Sequence, residues 1–356
     1  MNFCSMVISS MGTPSTITVK HVERLGPKAV RLTLDPGARA KEWRNIPGGY
    51  MTFCLPCGDP ILHRSYSLVQ APDAVFPQVV VKETGGSRGS AFVNRQFKPG
   101  MEVMAYPPQG RLFPSHWDEE PIHAVMFAAG AGITPMYSVM QHLLASPWDH
   151  EITLFYGNRG VSDILLRDEL EVLAALPQVN IKHILTDESL DDELYNGRIN
   201  ASKAMLLWNE VVTDLPTKAL VSGPVGMKKD VLRGLDLAGI LAENIRVEDF
   251  HHPPHLEAAS AQSCSVTATM GSQEVTFDYC PQEESLVEAI TSRGIDVPVS
   301  CRGGLCGSCS ATVTEGEVAL EHNYALTNKE RKDGMVLCCQ ARPVSDHVKL
   351  SFRGDQ

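Results

Sequence analysis

At 356 residues and 43% hydrophobic content, the chain has room for two or three domains with buried cores, which excludes a disordered protein. A net charge of −11 argues against a nucleic-acid binder, and ten cysteines over this length are too few for a disulfide scaffold. Their clustering points instead to metal or redox use in a reducing compartment.

No basic residue precedes Lys20, and the longest apolar run, near residues 124–133, is too short and glycine-broken to span a bilayer. A soluble, cytoplasmic protein is expected. The charge is uneven along the chain. Residues 1–117 carry 13 basic against 7 acidic side chains, residues 118–262 carry 10 against 22, and residues 263–356 carry 8 against 13. A basic first third suits an anionic ligand. An acidic last third suits docking on a basic surface, of this chain or of a partner.

In the first third, STITVKHVERL, AVRLTLD, YMTFCL and FPQVVVKET read as short strands separated by turn signals such as DPG and KPG. So many strands in so short a stretch predict an antiparallel barrel or sandwich. Within HRSYSL, strand alternation directs Arg64 and Tyr66 to one face and Ser67 to the other. An arginine for a phosphate, an aromatic for a flat ring and a hydroxyl for its polar edge suit a flavin, although any edge strand could read this way. The pair Cys54 and Cys57 in CLPC falls on opposite strand faces, which disfavours a disulfide.

In the middle third, AVMFAAG is a buried strand and TPMYSVMQHLLAS a helix. EITLFYG, VNIKHILTD and TKALVSGP follow as strands, with helices over SDILLRDELEVLAAL and VGMKKDVLRGLDLAG. This alternation predicts βαβ units on a parallel sheet. In FAAGAGITP, Gly130 and Gly132 let the backbone approach a phosphate. Thr134 can cap the next helix, Pro135 fits its first turn, and the helix N-terminus offers N–H groups to a pyrophosphate. Past the following strand, Asn158, Arg159, Ser162 and Arg167 stand where an acidic residue would grip the ribose of NAD. Arg159 suits a 2′-phosphate and hence NADPH, while Asp163 keeps NADH open.

FHHPPHLEAASAQS, residues 250–263, is an aperiodic linker without a helix to align His251 and His255 on a metal. CSVTATMGSQEVTFDY predicts a hairpin turning at Gly271 and Ser272, and ESLVEAITSRG a short helix closed by Gly294. Then comes CRGGLCGSC. Cys301, Cys306 and Cys309 are spaced C-x4-C-x2-C, with a further cysteine in VLCCQARP after 29 intervening residues. That is the plant-type arrangement for a 2Fe–2S cluster, whereas a zinc ribbon needs a second C-x2-C pair. Gly303, Gly304 and Gly307 let backbone N–H groups turn onto the sulfurs. Cys338 and Cys339 face opposite ways on one strand, so one of the two reaches iron.

The ordered set RSYS, GGSRGS, PPQGRLF, GAGITP, YGNR, SGPVGM and VEDF resembles the ferredoxin–NADP reductase superfamily over about residues 14–252, and the cysteine pattern resembles plant-type ferredoxins. The resemblance implies a multidomain chain. A flavin-binding antiparallel β-barrel spans 14–117, an NAD(P)-binding α/β parallel-sheet domain 118–252, a linker 253–263, and an α+β (β-grasp) 2Fe–2S ferredoxin domain 264–356. It implies Arg64 at the flavin phosphate, Tyr66 on the isoalloxazine and Ser67 near the reactive ring nitrogen, with Ser65, Val81 and Lys82 in the cofactor-binding set. Gly86, Arg88, Gly89 and Ser90 are implied as a loop holding phosphate through N–H groups, and FAD is expected ahead of FMN. Ser222, followed by Gly223, Pro224 and Met227, stands where the family usually has cysteine beside the nicotinamide, so an altered hydride geometry is expected. Glu248 and Phe250 match the family's acidic and aromatic residues near the flavin. Ser67, Ser222 and Glu248 are thus the implied catalytic set.

Because plant-type ligand cysteines precede Gln, the resemblance also makes Cys339 the fourth ligand beside Cys301, Cys306 and Cys309, leaving Cys338 to core or surface. The whole is similar to reductase components of bacterial multicomponent oxygenases, of the phenylacetyl-CoA epoxidase reductase type. This implies a monomer passing electrons from NADPH or NADH through flavin and cluster to a terminal oxygenase, Rieske-type or di-iron. A rival is a reductase for another acceptor, such as a hybrid-cluster protein or a separate ferredoxin. A further rival is a metal-holding adaptor on an inactive reductase scaffold. Neither a nucleic-acid partner nor a membrane span is expected.

Overall fold

Alternating apolar residues in the first third build a curled six-stranded antiparallel sheet. The computed structural model describes residues 14–43, 45–57, 62–84, 88–110, 112–211, 213–248, 263–281, 284–297, 309–320, 323, 326 and 328–352. Its contacts divide the chain into two units, Pro14–Asp249 and a second that holds the C-terminal part from Phe250. Among the described residues no helix is long and apolar enough to cross a membrane.

The first sheet holds β1 (Ser15–Arg24), β2 (Ala29–Asp35), β3 (Tyr50–Leu55), β4 (Leu62–Ser67), β5 (Gln78–Lys82) and β6 (Glu102–Gln109), in the order β4-β3-β6-β1-β2-β5. A bridge between Leu68 and Val79 brings the two edge strands together and closes the barrel. Val30, Leu32, Met51, Phe53 and Val81 fill the interior. Between β5 and β6 lies a helix that strand patterning does not predict, α1 (Arg88–Gln96). The expected phosphate loop is therefore partly helical: Arg88, Gly89 and Ser90 form its first turn. Gly86 lies outside the described residues.

A parallel sheet follows, of β7 (His123–Ala129), β8 (Glu151–Asn158), β9 (Val179–Leu185), β10 (Thr217–Ser222) and β11 (Ile245–Glu248), ordered β11-β10-β7-β8-β9. Helices α2 (Ile133–Ala145), α3 (Arg167–Ala174), α4 (Ala201–Asn209) and α5 (Val225–Leu237) connect the strands. Successive residues of β7 serve opposite faces: Ala124, Met126 and Ala128 join one apolar core, Val125 and Phe127 the other. The first of these cores also includes Ala29, Val69 and Val80 of the barrel, so barrel and sheet share buried surface. Strand order reverses between β7 and β10, which makes their C-terminal ends the switch point where doubly wound sheets bind ligands.

Two details differ from expectation. The helix expected from Ser162 starts only at Arg167, because Leu166 takes a left-handed conformation (φ 58°) that a helix cannot contain. α4 lies outside the predicted elements, although Asn200 caps it by accepting from the Lys203 N–H at 2.9 Å.

The second unit has a mixed sheet of β12 (Cys264–Met270), β13 (Gln273–Tyr279), β14 (Ser310–Glu315), β16 (Met335–Leu337) and β18 (His347–Phe352), ordered β13-β12-β18-β14-β16. A small sheet pairs β15 (Val318–Leu320) with β17 (Ala341–Pro343). β12 and β18 run parallel, and the predicted hairpin turns at Gly271 (φ 59°). Helix α6 (Leu286–Ser292) starts with a capping box between Ser285 and Glu288 and buries Leu286, Val287 and Ile290 against the sheet. A short α7 (Asn328–Lys332) precedes β16.

Candidate functional site

The polar centre of the first unit is the Glu248 carboxylate at the end of β11. Ser67, the last residue of β4, donates to its Oε1 at 3.1 Å, and Ser222, the last residue of β10, donates to its Oε2 at 3.3 Å. All three side chains are buried. Sheet register fixes each: Ser67 opposes Tyr50, while Ser222 lies between Ala128 and Glu248 on neighbouring parallel strands. One carboxylate thus joins the barrel to the switch point. Both hydroxyl protons are committed to it, which leaves each serine only lone pairs for a further hydrogen bond.

Around this centre, the structure places the expected flavin residues on the barrel wall. Ser65 and Thr52 share a hydrogen bond at 2.8 Å across β3 and β4. Tyr66 packs on Phe53, with ring centroids 5.5 Å apart, and its hydroxyl is buried without a hydrogen-bond partner among the described residues. Burial raises its pKa, against the opposing pull of Arg64, so the phenol stays protonated with a proton to donate. Such an orphaned donor fits a ligand with polar edges. Val81 turns its side chain into the barrel core, pairs with Val30 of β2, and accepts at its carbonyl from Asn94 at 3.0 Å, so the structure does not present it to a cofactor as expected. Ser90 accepts from the Thr84 N–H at 3.2 Å, anchoring the first turn of α1. Phe250 lies outside the described residues.

At the switch point, Gly130 and Gly132 do different work. Gly130 has φ 53°, and a Cβ there would meet nothing within 4 Å, which leaves an open face at the turn. A Cβ on Gly132 would overlap the carbonyl of Ser222, so this glycine serves close packing of the turn on β10 rather than approach to a ligand. Thr134 does not cap α2. It lies inside the helix and donates to the Ala131 carbonyl at 2.9 Å, while Gly132 occupies the cap position without a side-chain bond. Pro135 sits in the first turn, as expected. On the other side of the turn, Gly223 and Pro224 lead into α5, where a Cβ on Gly223 would crowd Met227 at 2.8 Å.

Past β8, Arg159 is 67% exposed and lies 3.5 Å from Asp163, while Lys82 of the barrel reaches the same carboxylate at 3.8 Å. Burial depresses the Lys82 pKa and Arg159 depresses it further, against the opposing pull of Asp163. Arg159 and Lys82 thus share the Asp163 carboxylate, while Glu188 accepts from the Val161 N–H at 3.0 Å, next to Ser162. Sequence patterns single out neither Tyr156, whose buried hydroxyl donates to the Gly130 carbonyl at 2.9 Å, nor Asp118, which gathers His142, His150 and Ser146. The strand motif YGNR holds Tyr156 and could have signalled it; nothing local marks Asp118.

In the second unit, Cys309 precedes β14 and Cys339 follows β16, and the pairing of Ser310 with Leu337 brings them together. The Cys339 N–H donates to the Cys309 sulfur at 3.4 Å, and the Cys338 N–H to the Cys309 carbonyl at 3.0 Å. Cys338 is 0% exposed, inside the apolar core, and burial pushes its thiol pKa far up; Cys339 is 9% exposed. An N–H aimed at a sulfur is the contact that supports a metal thiolate. Cys301 and Cys306 lie outside the described residues.

A closed antiparallel barrel tied to a doubly wound nucleotide sheet is the architecture of flavoprotein reductases, here with a 2Fe–2S-type sheet on the same chain. Residues 126–233 match the oxidoreductase NAD-binding domain, and residues 268–344 match the 2Fe-2S iron-sulfur cluster binding domain. A 1,2-phenylacetyl-CoA epoxidase subunit from Escherichia coli K12 is 30% identical over 350 residues, covering 96% of this chain and 98% of that protein. The ferredoxin reductase component of 3-ketosteroid-9-alpha-monooxygenase from Rhodococcus rhodochrous is also 30% identical, over 86% and 87% of the two chains. Phthalate dioxygenase reductase shares the fold at TM-score 0.60 and 21% identity, over 95% of this chain and 98% of that one.

The chain belongs to the family of these reductases and is an NAD(P)H-dependent oxidoreductase. Its cofactors are a flavin, a 2Fe–2S cluster and a pyridine nucleotide. Together these supply hydride acceptance and one-electron transfer; the protein supplies position and electrostatics.

Proposed function

We propose that the protein draws electrons from NADPH, with NADH as the poorer donor, and delivers them through FAD and the cluster to a terminal oxygenase, Rieske-type or di-iron. It works as a cytoplasmic monomer, where thiols stay reduced for cluster assembly. Ser67, Ser222 and Glu248 form the proton-holding centre where nicotinamide and flavin ring meet. Arg64, Ser65, Tyr66, Lys82 and the first turn of α1 hold the flavin. The open turn at Gly130 and the first turn of α2 with Thr134 and Pro135 take the pyrophosphate, with Gly132 packing that turn on β10, and Arg159 with Ser162 take the 2′-phosphate. Cys301, Cys306, Cys309 and Cys339 ligate the irons.

The observation that carries this reading is the nearly end-to-end kinship with a protein of an epoxidase system, in a chain where Glu248 still links the two sheets. Anaerobic titration of the holoprotein with NADPH tests it. Flavin and cluster absorption should both bleach, and substrate oxidation by a purified oxygenase component should then depend on this protein. A cluster that stays oxidised beside a reduced flavin refutes the electron path. Efficient reduction of a separate ferredoxin, with none of an oxygenase, transfers the function to that acceptor.

A further inference from the structure

The outer face of β2 and β5 forms a contact strip for the nucleotide sheet. Antiparallel register sets Ala29 opposite Lys82 and Arg31 opposite Val80, so these four side chains share one face. Val30 and Val81, on the other face, fill the barrel. Ala29 and Val80 are buried in the apolar core that also holds Leu165, Leu166 and Leu170 of the chain entering α3. The strip therefore has an apolar middle and a cation at each of two diagonal corners.

Each cation meets a carboxylate of that same stretch of chain. Lys82 lies 3.8 Å from Asp163, and Arg31 donates through Nη2 to Glu169. The guanidinium is aimed from the barrel side: Nη1 donates to Glu23 of β1 at 3.1 Å, which leaves Nη2 turned to Glu169. The four paired side chains are between 18% and 29% exposed, so water screens them less than an ordinary surface pair. Between the two carboxylates stands Leu166 at φ 58°, a conformation that persists only where neighbouring contacts hold it.

Residues 163–169 belong to the nucleotide sheet and its helix α3, whereas Arg31 and Lys82 belong to the flavin barrel. A hydride passes, with both its electrons, from NADPH to the flavin and leaves NADP+ and reduced flavin. That step needs the two parts at a fixed angle, because a displacement of about 1 Å between reacting groups can cost about a hundredfold in rate.

We propose that Arg31 and Glu169, seconded by Lys82 and Asp163, are positioning residues for hydride transfer. Arg31 and Glu169 act through the register of the nucleotide sheet on the barrel, which carries flavin and nicotinamide into line, and not through contact with either cofactor. The inference deepens the proposed electron path and rests on its first step, reduction of the flavin by NADPH.

The test is stopped-flow reduction of the holoprotein by saturating NADPH, set beside isothermal titration with ADP, which lacks the nicotinamide and reports on the nucleotide sheet by itself. Arg31→Glu should slow the limiting reduction rate about tenfold, and Glu169→Arg about as much. The double swap restores opposite charges and should return to within about threefold of the wild type. ADP affinity should stay within about twofold throughout. Intact flavin and cluster absorption certifies each variant as folded. Arg31→Gln, with an expected loss of about threefold, decides if Arg31→Glu does not fold. A wild-type limiting rate in Arg31→Gln and Arg31→Glu overturns the proposal, and so does a double swap in which the two losses add. ADP binding that weakens in step with the rate also overturns it, since the pair would then shape the nucleotide sheet itself. A wild-type flavin that NADPH does not reduce at all removes the underlying path instead, which separates the two failures.

Discussion

The two units assemble their candidate sites by opposite routes. In residues 14–249, Ser67 and Glu248 meet across 181 positions of sequence, and each stands at the end of a strand whose register is set by its neighbours. In the C-terminal unit, Cys309 and Cys339 flank two directly paired strands, β14 and β16, and an N–H···S contact joins them. The first site exists wherever its sheets exist. On the proposed ligand set the second is completed by metal bonds, so part of its folding free energy would reside in the cluster. Losing the cofactor should therefore cost the second unit much more than the first.

The sharpest break of this contrast is at the tandem cysteines. Cys339→Ser should abolish iron binding, measured as iron per chain, and lower the thermal transition of the C-terminal unit while flavin content stays unchanged. Cys338→Ser should keep its iron but lose about 1–3 kcal/mol of stability, because a hydroxyl replaces a thiol that is wholly enclosed by apolar neighbours. Iron lost from Cys338→Ser and kept by Cys339→Ser would reverse the ligand assignment.

In the first unit, the comparable lesion is Glu248→Ala. It leaves Ser67 and Ser222 buried without their shared acceptor but removes no cofactor ligand. Flavin reduction by NADPH in a stopped-flow instrument should slow by about ten- to a hundredfold, with flavin and iron contents unchanged. Glu248→Gln should fall between, since Ser67 and Ser222 donate to different carboxylate oxygens and the amide keeps an acceptor at only one of them. A wild-type rate in Glu248→Ala would mean that the carboxylate only braces the two sheets.

The same contrast governs what is legible in the sequence. The cysteine spacing names a cluster because its ligands are local, and the strand–helix alternation names the parallel sheet because β7 and β8 keep a simple apolar rhythm. The Ser67–Glu248–Ser222 bridge is reachable only through family resemblance: no local pattern pairs residues so far apart. In sequence, Gly132 reads as room for phosphate, whereas its space is taken by Ser222, a neighbour that chain order does not reveal. Thr134 reads as a cap because its position suits one, but Gly132 already starts the turn. The predicted start of α3 is too early because the left-handed Leu166 is held by tertiary contacts around Tyr156, which override helix propensity in SDILLRDEL.

A smaller effect should separate charge reading from scaffold within the first unit. Arg159 is mostly exposed and shares Asp163 with Lys82, so it adds little to stability. Arg159→Ala should lower kcat/KM for NADPH by about tenfold and for NADH by less than about twofold, the loss of one charge-assisted contact to a phosphate. Equal losses with both donors would show that the residue shapes the loop and does not read the 2′-phosphate.

The smallest expected effect is on pH dependence, and it too divides the units. His123 on β7 and His183 on β9 both have pKa values held below the ordinary 6.5, chiefly by burial. Glu151 opposes this for His123; for His183, Arg167 adds to it and Glu171 opposes it. A lowered folded-state pKa means that the unfolded chain binds more protons below about 6.5, so acid favours unfolding. Their contribution to stability is complete above 6.5 and is lost as pH falls through the depressed folded values. Asp118 acts lower on the scale: burial alone would raise its pKa, but hydrogen bonds from Ser146 and His150 and the nearby His142 outweigh this and hold it below 3.8. Its contribution is present above 3.8 and disappears only as pH falls beneath that value. All four tryptophans, Trp43, Trp117, Trp148 and Trp208, lie in the first unit, so their fluorescence follows that unit alone. Between about pH 7 and pH 5.5 its thermal midpoint should fall by about 2–4 °C, the shift expected for roughly 1 kcal/mol in a domain of this size. His183→Gln should flatten the slope, because it removes one of the two groups that must charge on unfolding. A midpoint that does not move with pH over this interval would mean that Glu151 and Glu171 hold both rings as readily protonated in the folded sheet as in the open chain.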